Sequence, residues 1–238
     1  ANATKGGNSP LSFTGFTDQT FEFYLAIRFN NNRAFFLDNH DWYEKSVREA
    51  MLALCESLVP TIEKIDSDLE TRPTRCLARI NRDVRFARDK SPYRDYSFLK
   101  FRALGQGRDA LPGFYFDLSD DGATFGMGLY EKNLPLMRAF GRWMTLEPDA
   151  AVRLTAPVEK MFTLYPDTIK RMALPPDLPA PLEKWYPLRA FYVERQIKDF
   201  DLIKSPALVE TVVRGFQLLA PLYTRLKRLT PLDEGCGA

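Results

Sequence analysis

The hydrophobic positions near the start of the chain follow a helical period. Apolar side chains fall three or four residues apart from Tyr43 to Ile65, which predicts a long amphipathic helix. Pro60 lies inside this stretch, and we expect it to kink or split the helix, because proline lacks the amide hydrogen that a helix interior requires. A shorter helix is predicted to begin at Thr17, and another helical turn or two is expected in residues 32–37. Asp41 and Glu44 have the form of a capping box, which predicts that the long helix starts at Asp41. The expected core residues of the long helix are Leu54, Leu58 and Ile62.

In the middle of the chain, apolar and polar side chains alternate, which is the period of a half-buried strand. The alternation is strictest in residues 75–86, where most odd positions are charged or carry an amide. Two later apolar stretches flank Ser119-Asp-Asp-Gly122, a sequence typical of a hairpin turn. The predicted strands of one antiparallel sheet are residues 75–86, 114–118 and 123–130, with further strands expected in residues 98–104 and 191–197. The side chains expected to be buried on this sheet are Ile80, Phe116 and Met127.

Helical periodicity returns in the last third of the chain. Helices are predicted over residues 134–144, 148–164 and 206–229, the last of them capped by Ser205. Residues 174–187 contain five prolines and are expected to form a loop. Predicted helices come before and after the predicted strands along the chain. This order is typical of the α+β class, and we expect the antiparallel sheet to pack against the N-terminal and C-terminal helices.

The composition is that of a globular protein, with 45% apolar and 27% charged residues. We therefore predict a single domain over residues 13–230, with flexible tails at residues 1–12 and 231–238. The opening residues lack the basic and apolar stretches of a signal peptide, and no apolar run approaches the ~18 residues of a membrane span. We expect a cytoplasmic protein that does not enter a membrane; its oligomeric state is left open.

The scarcity of histidine and cysteine excludes several kinds of site. The chain has one histidine, His40, so a histidine-based catalytic triad or a site with several histidine ligands is excluded. Its three cysteines, Cys55, Cys76 and Cys236, are widely spaced and odd in number, which predicts reduced thiols instead of a disulfide framework or a zinc site. We expect no metal and no cofactor.

Positive charge is concentrated in the middle of the chain. Residues 75–108 contain ten basic side chains and three acidic ones, a net charge of +7 in a chain whose total is +2. We call residues 75–93 the basic segment.

Arginine side chains suit a site for an anion. Arginine holds phosphate or carboxylate groups well, because its planar guanidinium donates two parallel hydrogen bonds. The sequence therefore predicts a site for a small anionic ligand, such as a phosphorylated or carboxylated metabolite. The expected ligand-binding residues are Arg79, Asn81, Arg82, Asp83, Arg85, Lys90 and Tyr93.

Other interpretations of the basic segment stay open. Its carboxylates could simply pair with neighbouring arginines on a solvated face, in a scaffold or partner-binding protein without a ligand. The segment could also bind nucleic acid, with nearby aromatic side chains as stacking surfaces. If the protein is an enzyme, Asp83 is the nearest candidate base, but its arginine neighbours should lower its pKa and make it a weak one.

Two further features have structural as well as functional interpretations. Gly126 and Gly128 fall on one face of a predicted strand, where glycine permits close approach of a ligand, another backbone or a packed helix. Asn30-Asn-Asn-Arg33 lies between two predicted helices, where asparagine is favoured as a cap, and a ligand role is the alternative.

The same motifs carry a family resemblance. Asn31-Asn-Arg33 with Tyr43, residues 79–94 and the hairpin up to Tyr130 resemble a family of mainly microbial proteins, domain-of-unknown-function family 2461. The resemblance spans most of the chain to about residue 145. It implies no activity, but it places the most distinctive motif of the family on the basic segment.

Overall fold

A computed structural model of the chain describes residues 12–85, 88–105 and 110–229. The described helices are α1 (Asp18–Phe29), α2 (Arg33–Asp38), α3 (His40–Tyr43), α4 (Glu49–Ile65), α5 (Pro73–Cys76), α6 (Leu134–Leu146), α7 (Pro148–Met161), α8 (Phe200–Ile203) and α9 (Ala207–Leu229). The strands are β1 (Tyr96–Phe101), β2 (Gly113–Ser119), β3 (Gly122–Gly128), β4 (Thr163–Thr168) and β5 (Leu188–Ile197). This arrangement confirms the α+β class. Among the described helices, none combines the length and the apolar character that crossing a bilayer requires.

Polar side chains mark the ends of the first helices. Thr17 is the N-cap of α1, as predicted, and Asn32 caps α2 through its side chain, the role expected of the asparagine-rich segment. The predicted helix start at Asp41 is wrong. Asn39 closes α2 and also opens α3, so the next helix already begins at His40.

The predicted long helix forms as α3 and α4, joined by a π-helical turn, Glu44–Arg48. The helix is not split at Pro60, since α4 continues for another turn beyond it. Buried side chains on both sides of the proline, Leu58 and Ile62, anchor the helix in the core, although the proline removes one backbone hydrogen bond. The predicted core residues are confirmed, with no exposed surface at Leu54, Leu58 and Ile62.

The five strands form one antiparallel sheet in the order β1-β2-β3-β5-β4. The predicted hairpin between β2 and β3 is confirmed, and its turn uses Gly122 at a φ of +125°, which favours glycine. Strands β1 and β5 lie where the sequence predicted further strands. Strand β4 was not predicted: the helix expected over residues 148–164 ends at Met161, and the chain then forms an edge strand that tolerates Pro166.

The described part of the first predicted strand, residues 75–85, does not form a continuous strand. These residues begin as the end of α5 and then run antiparallel to the chain around β1, with two isolated bridges, Leu77 to Leu99 and Asn81 to Tyr93. The bridged positions are four residues apart along one segment, 77 to 81, and six apart along the other, 93 to 99. The second segment therefore has two extra residues between the bridges, which interrupt the ladder as a bulge does. An edge segment with this irregularity cannot form a continuous strand.

From Arg79 to Arg85 the alternation nevertheless predicted the exposure correctly, whereas Leu77 and Ala78, which should differ, are both half-buried. Ile80 is buried, and Arg82 and Val84 are half-buried. Phe86, the predicted end of the strand, lies outside the described residues. The odd positions that face solvent are Arg79, Asn81, Asp83 and Arg85.

The core lies between one face of the sheet and the helices. Helix α9 passes close to β3 at Gly215, where a Cβ atom would lie 2.3 Å from the ring of Phe125. This approach brings the Phe216 ring within 5.9 Å of Phe125, measured between centroids. The opposite face of the sheet is open, with exposed tyrosines such as Tyr192. The predicted buried side chains are confirmed as Ile80, Phe116 and Met127.

Two of the three cysteines meet in the core. Cys55 of α4 and Cys76 of α5 are buried free thiols. Hydrogen bonding to Cys76, together with burial, raises the pKa of Cys55 well above its ordinary value. The Cys76 Sγ also lies 3.1 Å from the backbone carbonyl of Glu70. Buried thiols are shielded from reagents and oxidants, which agrees with the reduced state expected of them. Cys236 lies outside the described residues.

Candidate functional site

Two of the three predicted anion-binding arginines form ion pairs with acidic side chains of their own segment. Arg85 grips Asp83 with two nitrogens, Nε and Nη2, at 2.9 and 2.7 Å from the two carboxylate oxygens. Arg82 forms an ion pair with Asp89. Two of the predicted arginines therefore neutralise carboxylates of their own segment.

Both of these carboxylates have a pKa lowered to about 2. For Asp83 the main cause is the hydrogen bond from the Arg85 side chain, and for Asp89 it is the hydrogen bond from the Ser91 hydroxyl. A carboxylate with so low a pKa accepts protons poorly at neutral pH. Asp83 thus has the weak basicity that its arginine neighbours led us to expect.

The remaining predicted residues divide between surface and core. Tyr93 is buried, and its ring stacks on Phe36 with 4.4 Å between centroids. The side-chain amide of Asn31 accepts a hydrogen bond from the backbone N–H of Tyr93 and donates one to the backbone carbonyl of Tyr93, both at 3.0 Å. Lys90 folds back and donates to the backbone carbonyl of Val84 at 2.9 Å. Lys90 therefore bonds within the basic segment, and the Tyr93 ring packs into the core.

A second candidate site lies on the open face of the sheet. It is a groove of about 280 Å³, which we call the sheet-face groove. An adjoining hollow of about 450 Å³ shares Lys100 and Asp117 with it. Because its residues come mainly from paired strands, the groove has a rigid frame. The side chains that line it are Lys100, Tyr115, Asp117, Tyr130, Tyr192 and Glu194.

Two glycines keep β3 and β5 close together beneath this groove. A Cβ atom at Gly126 would lie 1.8 Å from the backbone oxygen of Val193, and one at Gly128 would lie 2.4 Å from the Cβ of Tyr192. Neither position accepts a side chain, so β3 offers a bare backbone surface on this face. The close approach that glycine permits here is that of another backbone, one of the alternatives left open by the sequence.

Asp117 is half-buried on β2, and its pKa is raised to about 7. Burial is the main cause, because it disfavours the charged form, and the negative charge of Glu194 adds to it. Lys100 and the Thr124 hydroxyl act in the opposite direction. At neutral pH the carboxyl group is therefore present in both protonation states, so that it can donate or accept a proton.

Tyr115 links the floor of the groove to β5. Its hydroxyl lies 3.3 Å from Oε2 of Glu194 and 3.5 Å from the backbone oxygen of Val193. Burial raises the pKa of Tyr115 far above its ordinary value, and the nearby carboxylates raise it further. The phenol therefore keeps its proton and donates it in a hydrogen bond that holds one oxygen of Glu194 in place.

Aromatic rings form the walls of the groove. Tyr130 and Tyr192 are 38% and 43% exposed. The Nζ of Lys100 lies 4.0 Å from the centroid of the Tyr130 ring and 5.1 Å from that of Phe98, a cation–π geometry. Tyr192 stacks on Tyr165 of β4 at 4.9 Å. These rings present apolar faces on which a flat or cyclic ligand can pack.

Arg94 connects the basic segment with the open face of the sheet. Its guanidinium carbon lies 5.4 Å from the centroid of the Phe98 ring. Its Nη1 donates to the backbone carbonyls of Arg79 and Asn81, at 2.5 Å in the case of Asn81. The basic segment therefore adjoins the open face at the β1 edge of the sheet.

The sequence did not reveal the charged residues of the groove. Lys100 and Asp117 are the single charged residues of β1 and β2, and Glu194 stands beside Arg195 in β5. Charged side chains are common at any solvent-facing position of a strand, so none of the three marks a site by itself. Among the features identified in the sequence, Gly126 and Gly128 were the ones that indicated a close approach on the open face of the sheet. Within the described residues, no three histidine, cysteine, aspartate or glutamate side chains gather in a way that could hold a metal ion.

Comparison with known proteins identifies the family of the chain. Residues 19–224 match the family model described as "Conserved hypothetical protein (DUF2461)". This match covers the basic segment, the sheet and most of α9. A search of curated proteins found none that matches.

Proposed function

The chain belongs to the conserved hypothetical protein family DUF2461, and from the groove on its sheet we propose that it binds a small hydroxylated metabolite carrying a phosphate or carboxylate. The observation that carries this proposal is the placement of Asp117, Glu194 and Lys100 in one groove with tyrosine walls. Carboxylates accept hydrogen bonds from hydroxyl groups, and an ammonium group attracts an anion. A ligand with both features would engage all three side chains.

The size and walls of the groove favour a small cyclic ligand. Its volume of about 280 Å³ is near the lower end of ligand pockets, which span roughly 300–1,000 Å³. The exposed rings of Tyr130 and Tyr192 can pack against the apolar face of a sugar ring. Sugar phosphates and sugar acids combine such a ring with hydroxyl groups and an anionic group. They are the ligand class that we propose.

Asp117 gives the proposed site a capacity for proton transfer. Its pKa of about 7 is close to the pH at which a general acid or base works most effectively. The charge of Glu194 helps to maintain that pKa, and Tyr115 holds Glu194 in position. We propose that Asp117 exchanges a proton with a hydroxyl group, or with a carbon next to a carbonyl group, of the bound ligand.

The basic segment is part of the same proposal. Its excess of positive charge adjoins the open sheet face through Arg94, which lies against Phe98. A ligand whose anionic group extends past the β1 edge would meet this charge. We propose ligand contacts from the predicted residues whose side chains reach solvent, Arg79, Asn81, Arg82, Asp83, Arg85 and Lys90. The buried ring of Tyr93 would support the segment from the core side.

A thermal-shift and calorimetric screen with sugar phosphates tests the proposal. The parent sugars and inorganic phosphate are the matched probes, since each has half of the required chemistry. We expect a sugar phosphate to bind and both half-probes to bind at least about tenfold more weakly. Asp117→Asn, Glu194→Gln and Lys100→Gln should each weaken that binding about tenfold, the effect of losing a charge-assisted hydrogen bond.

Asp121→Asn is the control variant for this screen. Asp121 is an exposed carboxylate in the β2–β3 turn, paired with Lys198, and it does not line the groove. Unchanged binding in Lys100→Gln and Glu194→Gln would contradict the groove as the site. Loss of binding in Arg79→Ala or Arg85→Ala instead would place the ligand on the basic segment alone.

Single-stranded nucleic acid is the alternative ligand, favoured by the row of exposed rings on the open face. Tyr96, Tyr130 and Tyr192 are each about two-fifths exposed, and such rings can stack on bases. The carboxylates of Asp117 and Glu194 between them would repel the phosphate backbone. A steep decrease of affinity with salt for an RNA oligonucleotide would favour this alternative, because multiple phosphate contacts release many counterions.

A further inference from the structure

A larger groove lies among the helices, separate from the sheet-face groove. It measures about 570 Å³ and is lined by residues of α4, α6, α7 and α9; we call it the helix groove. Ile65, Ala150 and Leu154 provide an apolar wall. We propose that the helix groove binds an amphipathic anion, a carboxylate or phosphate attached to an apolar body.

Three cations line this groove. Lys64 projects from α4, and Arg225 and Arg228, three residues apart on α9, share one face of that helix. Within the part of the chain that the structure describes, none of the three forms an ion pair with a carboxylate, whereas arginines such as Arg28 and Arg72 do. Like charges that converge on one concavity repel one another, and a bound anion would relieve that repulsion.

The indole of Trp143 supplies a second, independent observation. Trp143 is 5% exposed and lines the groove, and its Nε1–H is buried without a hydrogen-bond acceptor among the described residues. The other two indoles both have acceptors, the backbone oxygen of Gln19 for Trp42 and the Glu159 carboxylate for Trp185. A buried donor without an acceptor is unfavourable, so it points to a missing acceptor.

The position of Arg225 joins these two observations. Its guanidinium carbon lies 4.4 Å from the centroid of the Trp143 ring, so the cation and the indole belong to one surface. An anionic oxygen placed there can accept from the indole and from the guanidinium at once. The apolar wall beside it would hold a hydrocarbon or aromatic body. An inorganic anion would leave that wall empty.

Decanoate is a suitable probe, with decanol and acetate as matched probes for its body and its charge. We expect decanoate to shift one tryptophan indole resonance in ¹H–¹⁵N spectra of the full chain, the resonance that Trp143→Phe removes. The resonances of Trp42 and Trp185 should move much less, because their donors are already bonded. Decanol and acetate should bind at least about tenfold more weakly than decanoate.

Charge variants complete the test. Lys64→Gln and Arg228→Gln, both at exposed positions, should weaken decanoate binding about fivefold or more. Arg214→Gln is the matched control, because Arg214 lies nearer the start of α9 and outside the helix groove; this variant should bind decanoate as the wild type does. Asp117→Asn, in the sheet-face groove, should also leave the affinity for decanoate unchanged. Equal binding of decanol, full binding by both charge variants, or no shift of the Trp143 resonance at millimolar decanoate would each overturn the proposal.

Discussion

At the scale of single residues, Asp117 is where stability and the proposed chemistry oppose each other. Its pKa of about 7 in the folded chain exceeds the ordinary 3.8, so between these values the folded state binds one more proton than the unfolded state. Stability therefore falls as the pH rises through this window and stays lower above it. We expect Asp117→Asn to raise the free energy of unfolding at pH 8 by about 1–3 kcal/mol, measured by urea denaturation.

The same variant should show little gain near pH 3, below both pKa values, where the Asp117 carboxyl is neutral in the folded and in the unfolded chain. Asp121→Asn is the control, because that exposed carboxylate should change stability by less than ~0.5 kcal/mol at either pH. An equal gain at both pH values, or none at pH 8, would show that ionising Asp117 carries no penalty. The proton-transfer part of the proposed function would then fail, while ligand binding would remain to be tested.

At the scale of elements, the buried face of α4 makes a simple prediction. Leu54 has no exposed surface and lies in the middle of the helix, so Leu54→Ala should leave a cavity and lower the free energy of unfolding by about 2–5 kcal/mol. Leu25→Ala on α1 is the control, since Leu25 is 43% exposed and should cost less than ~1 kcal/mol. Denaturation midpoints at constant m-value measure both. A loss below ~0.5 kcal/mol for Leu54→Ala would mean that this face does not form the core.

Helices α4 and α9 are joined by a polar contact around Asp66, the C-cap residue that follows α4. Burial opposes its charge, but hydrogen bonds from Lys227 and Tyr223 outweigh burial and lower the pKa of Asp66. The Lys227 Nζ lies 2.7 Å from both carboxylate oxygens. Lys227→Met should therefore reduce the free energy of unfolding by about 1–2 kcal/mol at pH 7, because the half-exposed lysine is partly screened.

The pH dependence of this contact has a definite sign. A carboxylate whose pKa is lowered by folding contributes stability above its ordinary pKa of about 3.8 and loses it as the pH falls through the lower, folded value. The difference between wild type and Lys227→Met should thus shrink below about pH 4. Lys198→Met, which breaks an exposed pair with Asp121, is the control and should have little effect at any pH. A pH-independent difference would show that only the lysine methylene chain matters.

The elements themselves were largely predictable, because periodicity reports which side chains face the core. That information was sufficient for α4, α6, α7 and α9 and for the hairpin of β2 and β3. It was insufficient for residues 75–86, where alternation predicted the exposure of Arg79 and Arg85 but not the hydrogen bonding. Backbone hydrogen bonding between strands depends on their register, which involves a second, distant segment of the chain. The pattern within residues 75–86 alone therefore could not predict the bulge between the two bridges.

At the scale of the whole molecule, the candidate sites differ in how far the sequence could predict them. The basic segment is one continuous stretch, so its charge was visible in the sequence. The sheet-face groove joins Tyr115 and Glu194, which are 79 positions apart, and the helix groove joins Lys64 to Arg228 across four helices. Such sites arise only when strand order and helix packing are fixed. Isolated charges in alternating strands give no sign of which others they will meet.

The single-domain prediction for residues 13–230 is testable through the packing of α9. Gly215 lets this helix approach Phe125 of the sheet, and Lys227 ties it to Asp66 at the end of α4. Because α9 contacts both the sheet and α4, the sheet and the helices should unfold together.

We expect guanidinium unfolding, followed by far-ultraviolet circular dichroism and by tryptophan fluorescence, to give one coincident transition. Gly215→Ala, whose Cβ would lie 2.3 Å from the Phe125 ring, should lower both midpoints equally. Two separated transitions, or a shift of only one, would mean that the sheet and the C-terminal helices are independent units.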